Sequence, residues 1–175
     1  LPILSVGFPE RLEAHRLIEE AMVAANVAAA EELGRLQRPL LFRVHEEPSP
    51  EKIEALRAVA EASGFTLARG QVLMTRHLNA LLAQAEGTAF DELMNVTTLR
   101  SMTQAYYHPS NFGHFGLALV AYAHFTSPIR RYADLVVHRA LIAGHGWGSD
   151  GLSPGEVGLL EDTARHISET ERRSM

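Results

Sequence analysis

The stretch GHFGLALVAYAHFTSPIRRYADLVVHRAL, residues 113–141, decides how the chain is read. Its first part, LALVAYAHF at 117–125, has the β-branched and aromatic character of a buried strand. Such a run does not by itself separate strand from helix, and the clean stop at TSPIRRY favours a strand. Thr126 or Ser127 then caps a helix with Pro128 at its first position, running to about Ala143 before GHGWGSDG breaks it. A helix start leaves N–H groups unpaired and carries the positive end of the macrodipole, so it is a natural anion site. On this reading Arg130 lies in the first turn with Arg131 beside it, where cations are unfavourable unless an anion sits nearby. A guanidinium there would neutralise a phosphodiester through a two-pronged contact that lysine cannot make. A plainer reading has Asp134, four residues after Arg130 and three after Arg131, form a surface bridge with one of them. His138 is four further on, within reach of Asp134. Spacing alone leaves both readings open.

Working outward, residues 9–36 place Leu12, Leu17, Ile18, Met22 and Val23 near helical spacing among alanines and glutamates, which predicts one long helix. A short strand-like run at 40–44 lies between Pro39 and Pro48. Ser49 as cap, Pro50 at the first helical position, Glu51 in the first turn and Gly64 at the stop predict a helix over 50–63. Two weaker helical segments occupy 74–104, parted by Gly87 and Thr88, and HPSNFGHFG at 108–116 reads as loop. Ser153, Pro154 and Glu156 repeat the start signal for a helix that continues into HISETERRSM. No repeat, low-complexity tract or long linker divides the chain, so one domain, or part of one, is expected.

Composition narrows the classes. A hydrophobic share of 46% with 21% charged residues suits a globular protein, and no apolar run approaches a membrane span. Residues 1–8 are apolar but lack a basic leader and a small-residue cleavage site, so they do not read as a signal peptide. The start at Leu1 rather than Met leads us to expect a fragment. The absence of cysteine removes disulfides and thiolate metal sites and suits a cytoplasmic protein. A formal charge of -5 argues against bulk attraction to nucleic acid, so any polyanion site must be local.

The quoted stretch closely resembles the signature of the RNB family of exoribonucleases. HRLIEEAMVAANVAAAEEL at 15–33 is similar to the family's IEE-(F/A)-M-x-x-AN helix, and PLLFRVHEEPSPEKIEALRAVAEASGF at 39–65 to its R-x-H-x-x-P segment. TLRSMTQAYYHP at 98–109 resembles L-R-S-M-x-x-A-x-Y, and HISETERRS at 166–174 matches H-x-S-x-x-E-R. The motifs cover nearly the whole chain, in family order. The resemblance implies an α+β fold, mainly α-helices with a few antiparallel strands, with residues 1–175 forming the C-terminal portion of an RNB catalytic domain. It implies processive hydrolysis of single-stranded RNA from the 3' end to nucleoside 5'-monophosphates with Mg2+. Arg130 would contact the scissile phosphate, Glu171 would orient that arginine or the terminal nucleotide, and Thr126, Ser127, Arg131 and Tyr132 would hold the RNA backbone. The partners implied are single-stranded RNA, an upstream RNB segment and flanking OB-fold domains, with no membrane.

One departure stands out. The family holds Mg2+ with clustered aspartates, as two-metal phosphodiester hydrolysis requires. Here the only aspartates are Asp91, Asp134, Asp150 and Asp162, far apart in sequence. The glutamate pairs 19–20, 31–32 and 46–47 point to different sides of their elements and read as solvated faces. His114, His124, His138 and His166 read as framework residues, without metal-ligand spacing. The metal site is therefore expected in residues outside this chain. A non-catalytic RNA-binding module derived from the family is the alternative expectation.

Overall fold

A computed structural model describes residues 12–70 and 72–174. The expected first helix includes residues 9–11, which lie outside the described residues; within them α1 spans Glu13–Arg35. Its first half is exposed, and its second half buries Ala29, Ala30 and Leu33 against α5 (Tyr132–His145). The small alanines let the two helices approach, and Val137, Ala140 and Leu141 of α5 fill the seam. Leu33 is fully buried, so truncating it to alanine should cost about 2–5 kcal/mol.

β1 (Phe42–Val44) and β2 (Tyr106–His108) form a two-stranded antiparallel sheet in which Arg43 stands opposite Tyr107. α2 (Pro50–Ala62), α3 (Thr75–Ala85) and α4 (Asp91–Ser101) lie between the strands in sequence and close a second core around Leu56, Leu78, Leu81 and Met94. The local signals for α2 hold: the Ser49 hydroxyl accepts the Lys52 N–H at 3.4 Å, and Gly64 takes a positive φ of 84° just past the helix end. α6 (Pro154–Gly158) and α7 (Leu160–Ser174) complete the chain. A third core joins Leu41 and Tyr107 of the sheet region to Ala133 and Val136 of α5 and Leu160 and Ala164 of α7. The outer edge of β2 is closed by α7, where the Ser168 hydroxyl accepts the Tyr107 N–H at 2.9 Å.

The observed class is α+β with helices dominant, as expected. Three expectations change in detail. Residues 117–125 do not form a strand: Leu117 ends a 3-10 turn over Phe115–Leu117, Ala118 is left-handed, and apart from one isolated bridge between Leu119 and His114 the following residues are irregular. Their apolar character reflects burial of Tyr122 and Ala123, and one backbone bond, Arg43 N–H to Tyr122 C=O at 2.8 Å, joins them to β1. α5 starts at Tyr132 with Arg131 as cap rather than at Pro128, because Asp134 takes the Ser127 N–H at 2.7 Å and holds residues 127–130 as a separate turn. The expected last helix is interrupted at Leu159, which separates α6 from α7; the Ser153 and Glu156 capping box at its start is present. No helix among the described residues is long and apolar enough to cross a membrane.

Candidate functional site

The turn that follows Phe125 is held by side chains from two helices. Asn26 of α1 accepts the N–H groups of Phe125 and Thr126 at 2.8 and 3.2 Å. From α5, His138 Nε2 bonds the Phe125 carbonyl at 2.9 Å while its ring stacks on Phe125, and Asp134 takes the Ser127 N–H. The Asp134 to His138 contact that the spacing allowed is thus replaced by one between His138 and Phe125. The Ser127 carbonyl then accepts from Arg130 N–H at 3.2 Å and Arg131 N–H at 3.1 Å, closing the turn. Arg130 therefore stands before α5, not in its first turn, and no conflict with the helix dipole arises.

Two arginines, Arg130 and Arg131, line a cleft of about 380 Å³ between this turn and α7, and a third, Arg43, is tied to its wall through Glu171. Arg131 forms a two-pronged pair with Asp134, Nε to Oδ2 at 2.7 Å and Nη2 to Oδ1 at 2.8 Å. Asp134 is fully buried; burial opposes its charge, yet the Arg131 guanidinium and the Ser127 N–H outweigh that and hold its carboxyl below the usual range. Arg43 forms a second fork, with Glu171, at 2.7 and 3.0 Å. The same guanidinium lies 4.6 Å from the centre of the Tyr107 ring. Arg130 is exposed, and the only hydrogen-bond partner of its guanidinium among the described residues is the Ser127 hydroxyl at 3.5 Å. Two of the three cations are thus matched by carboxylates and the third is open to solvent.

Of the residues expected at the site, Arg130, Arg131, Tyr132 and Glu171 line this cleft together. Glu171 is bound to Arg43, not to Arg130. Thr126 faces a different hollow, between the turn and α1, and its hydroxyl is buried without a hydrogen-bond partner. Ser127 is partly buried with its N–H committed to Asp134. Arg43 and Asn26 were not singled out from the sequence, and Tyr107 stood there only among several aromatics that could stack on bases. Arg43 and Tyr107 meet Glu171 only through tertiary contacts; the one sequence trace of Asn26 was its place in the helix motif.

Behind the cleft a ladder of rings runs from His45 through His114, Tyr122 and His124 to Tyr107. Tyr107 Oη and His124 Nδ1 are hydrogen-bonded at 2.9 Å. Burial, reinforced by the nearby Arg131 and Arg43 charges, pushes His124 down to about 3. Burial and the neighbouring His45 bring His114 to about 4. Both rings are neutral at pH 7. Among the described residues no group of three or more His, Asp or Glu is placed to hold a metal ion, so these residues do not fit a Mg2+ site.

Arg130 thus presents an exposed guanidinium on a turn whose backbone is fixed, beside the carboxylate-matched Arg131. The fold and cleft together describe an α+β domain with an exposed arginine on the rim of an open cleft. The model of the RNB domain matches residues 3–144, and the chain belongs to the RNB family. It is 47% identical over 132 residues to ribonuclease R of Escherichia coli, covering 75% of this chain and 16% of that protein. It is 41% identical over 163 residues to ribonuclease R of Aquifex aeolicus, covering 93% of this chain and 23% of that protein. The chain therefore spans less than a quarter of the length of either relative. Among solved structures, Mycoplasma genitalium RNase R in complex with ribose methylated single-stranded RNA matches with a TM-score of 0.82 at 29% identity, over 94% of this chain and 26% of that one. The fold is also that of yeast Ssd1, a pseudonuclease, with a TM-score of 0.73 at 23% identity over 91% of this chain and 20% of that one.

Proposed function

We propose that this chain is the phosphate-gripping portion of the catalytic domain of a hydrolytic 3'-to-5' exoribonuclease acting on single-stranded RNA. The observation that carries the reading is Arg130, exposed on the rim of the cleft and without a carboxylate partner among the described residues, while Arg131 beside it and Arg43 behind Glu171 are each paired with one. Its guanidinium would bind the non-bridging oxygens of the last phosphodiester and stabilise the charge that develops there as the bond to the 3' oxygen breaks. The fork from Arg43 holds Glu171 at the cleft wall, and Tyr132, exposed beside Arg130, offers a ring to the terminal nucleotide. Family membership and the RNA-bound neighbour support the substrate class.

The water that attacks the phosphate needs activation, which Mg2+ supplies in two-metal hydrolysis. The described residues do not form such a site, so we place the metal ligands in residues of the same protein outside this chain, together with the OB-fold domains expected to guide RNA. A cytoplasmic setting goes with the cysteine-free composition. The likeness to a pseudonuclease favours keeping a second reading, an RNA-binding module without catalysis.

The test is the full-length protein on a 5'-labelled single strand with Mg2+. A ladder shortening from the 3' end, with nucleoside 5'-monophosphate as product and loss of cutting when the 3' end is blocked, is expected. RNA bound without shortening would support the second reading, and neither binding nor cutting would overturn both.

A further inference from the structure

We infer that Asn26 is a positioning residue for Arg130, setting the backbone from which that arginine reaches the cleft; the inference rests on the phosphate-gripping role proposed above. Asn26 is only 3% exposed, on the alanine-lined face of α1. A buried primary amide there is costly unless its groups are paired. Its Oδ1 accepts from Phe125 and Thr126, and its Nδ2 donates to the Tyr122 hydroxyl at 2.9 Å.

The two N–H groups it satisfies lie in chain that has no ladder partner, and no other group among the described residues pairs them. The next N–H, that of Ser127, is taken by Asp134. Three successive N–H groups before Arg130 are thus fixed by side chains, two of them by Asn26, and the Arg130 N–H hangs from the carbonyl of Ser127. Asn26 makes no hydrogen bond to either guanidinium, whereas Asp134 also neutralises Arg131. Its influence on Arg130 therefore passes through the backbone alone. A displacement of about 1 Å in a group that acts on the transition state can cost 100-fold in rate.

The experiment compares Asn26→Ala, Asn26→Gln and Asn26→Asp in the full-length protein, by single-turnover cleavage of single-stranded RNA, RNA affinity and thermal unfolding. Alanine removes the acceptor, glutamine moves it by one methylene, and aspartate keeps an acceptor at the same reach while the Tyr122 hydroxyl turns to donate. The first two should lose about 10- to 100-fold in turnover with RNA affinity nearly unchanged, and aspartate should recover most of it. Added to Arg130→Ala, Asn26→Ala should cost no further turnover. Should alanine fail to fold, glutamine and aspartate still carry the comparison. Unchanged turnover in folded alanine or glutamine variants, or an equal further loss on the Arg130→Ala background, overturns this inference alone. Unchanged turnover in Arg130→Ala overturns the phosphate-gripping role and this inference with it.

Discussion

Glu171 forks onto Arg43, 128 positions earlier in the chain, and Arg130 has no carboxylate partner among the described residues. The pair ties β1 to α7 beside the cleft that Glu171 lines. In this arrangement Glu171 makes no hydrogen bond to the Arg130 guanidinium. The two partners have little exposed side-chain surface, 13% for Arg43 and 31% for Glu171, so the pair is more than a surface bridge.

Breaking that pair should show in a double-mutant cycle. Arg43→Ala strands a partly buried carboxylate and should destabilise the protein by about 1–3 kcal/mol, while adding Glu171→Ala should cost little more. Glu171→Gln, which keeps the shape and one acceptor, should retain more nuclease activity than Glu171→Ala. Denaturant unfolding and turnover measure these; strictly additive losses from the two alanines would show that the fork carries no coupling.

Acid should unfold this domain early. His114 and His124 are depressed to about 4 and 3 in the fold, below the ordinary histidine value of about 6.5. The unfolded chain therefore binds more protons than the fold as pH drops below about 6.5, and stability falls with falling pH until the folded values are reached. It is fully present above that window. His124→Gln should flatten the slope of unfolding free energy against pH by about one proton. An unaltered slope in that variant would mean the ring is not held neutral by burial.

Two glycines are required by close approach. A Cβ on Gly151 would lie 2.8 Å from the backbone of Ala143 in α5, and one on Gly116 would lie 3.0 Å from Nδ1 of the buried His45. The first neighbour is helix backbone and cannot yield easily. Gly151→Ala should therefore cost more than Gly116→Ala, both in the range of about 1–3 kcal/mol or above. Equal stability to wild type in Gly151→Ala would show that the loop can lift away from α5.

The 175-residue chain by itself should be inert as a nuclease, because its described residues hold no three-group metal site. Assayed on single-stranded RNA with and without Mg2+, it should release no nucleotides, and supplying the remainder of the domain should restore release. Stepwise, Mg2+-dependent release that Arg130→Ala abolishes would show a metal site within these residues.

What was legible in the sequence was what local chemistry dictates. Ser49, Pro50 and Gly64 bound α2 through contacts within one helix, and Arg131 and Asp134 pair at a spacing any helix start would allow. β2 was not legible, because three residues of AYYHP become a strand only by pairing with β1 and by the Ser168 hydroxyl. Residues 117–125 misled for the opposite reason: Tyr122 and Ala123 are apolar because helices bury them, and no ladder forms. At the site, spacing suggested that Asp134 meets one of two arginines, and only the third dimension brings Arg43 to Glu171.

If Arg130 acts on the reacting phosphate, single-turnover cleavage of single-stranded RNA by Arg130→Ala and Arg130→Lys in the full-length protein will show it. A lysine keeps the charge but not the two-pronged geometry, so both variants should lose turnover by about a thousandfold or more, in line with arginines that serve phosphoryl transfer, with much smaller changes in RNA affinity. Turnover equal to wild type in Arg130→Ala would contradict the account.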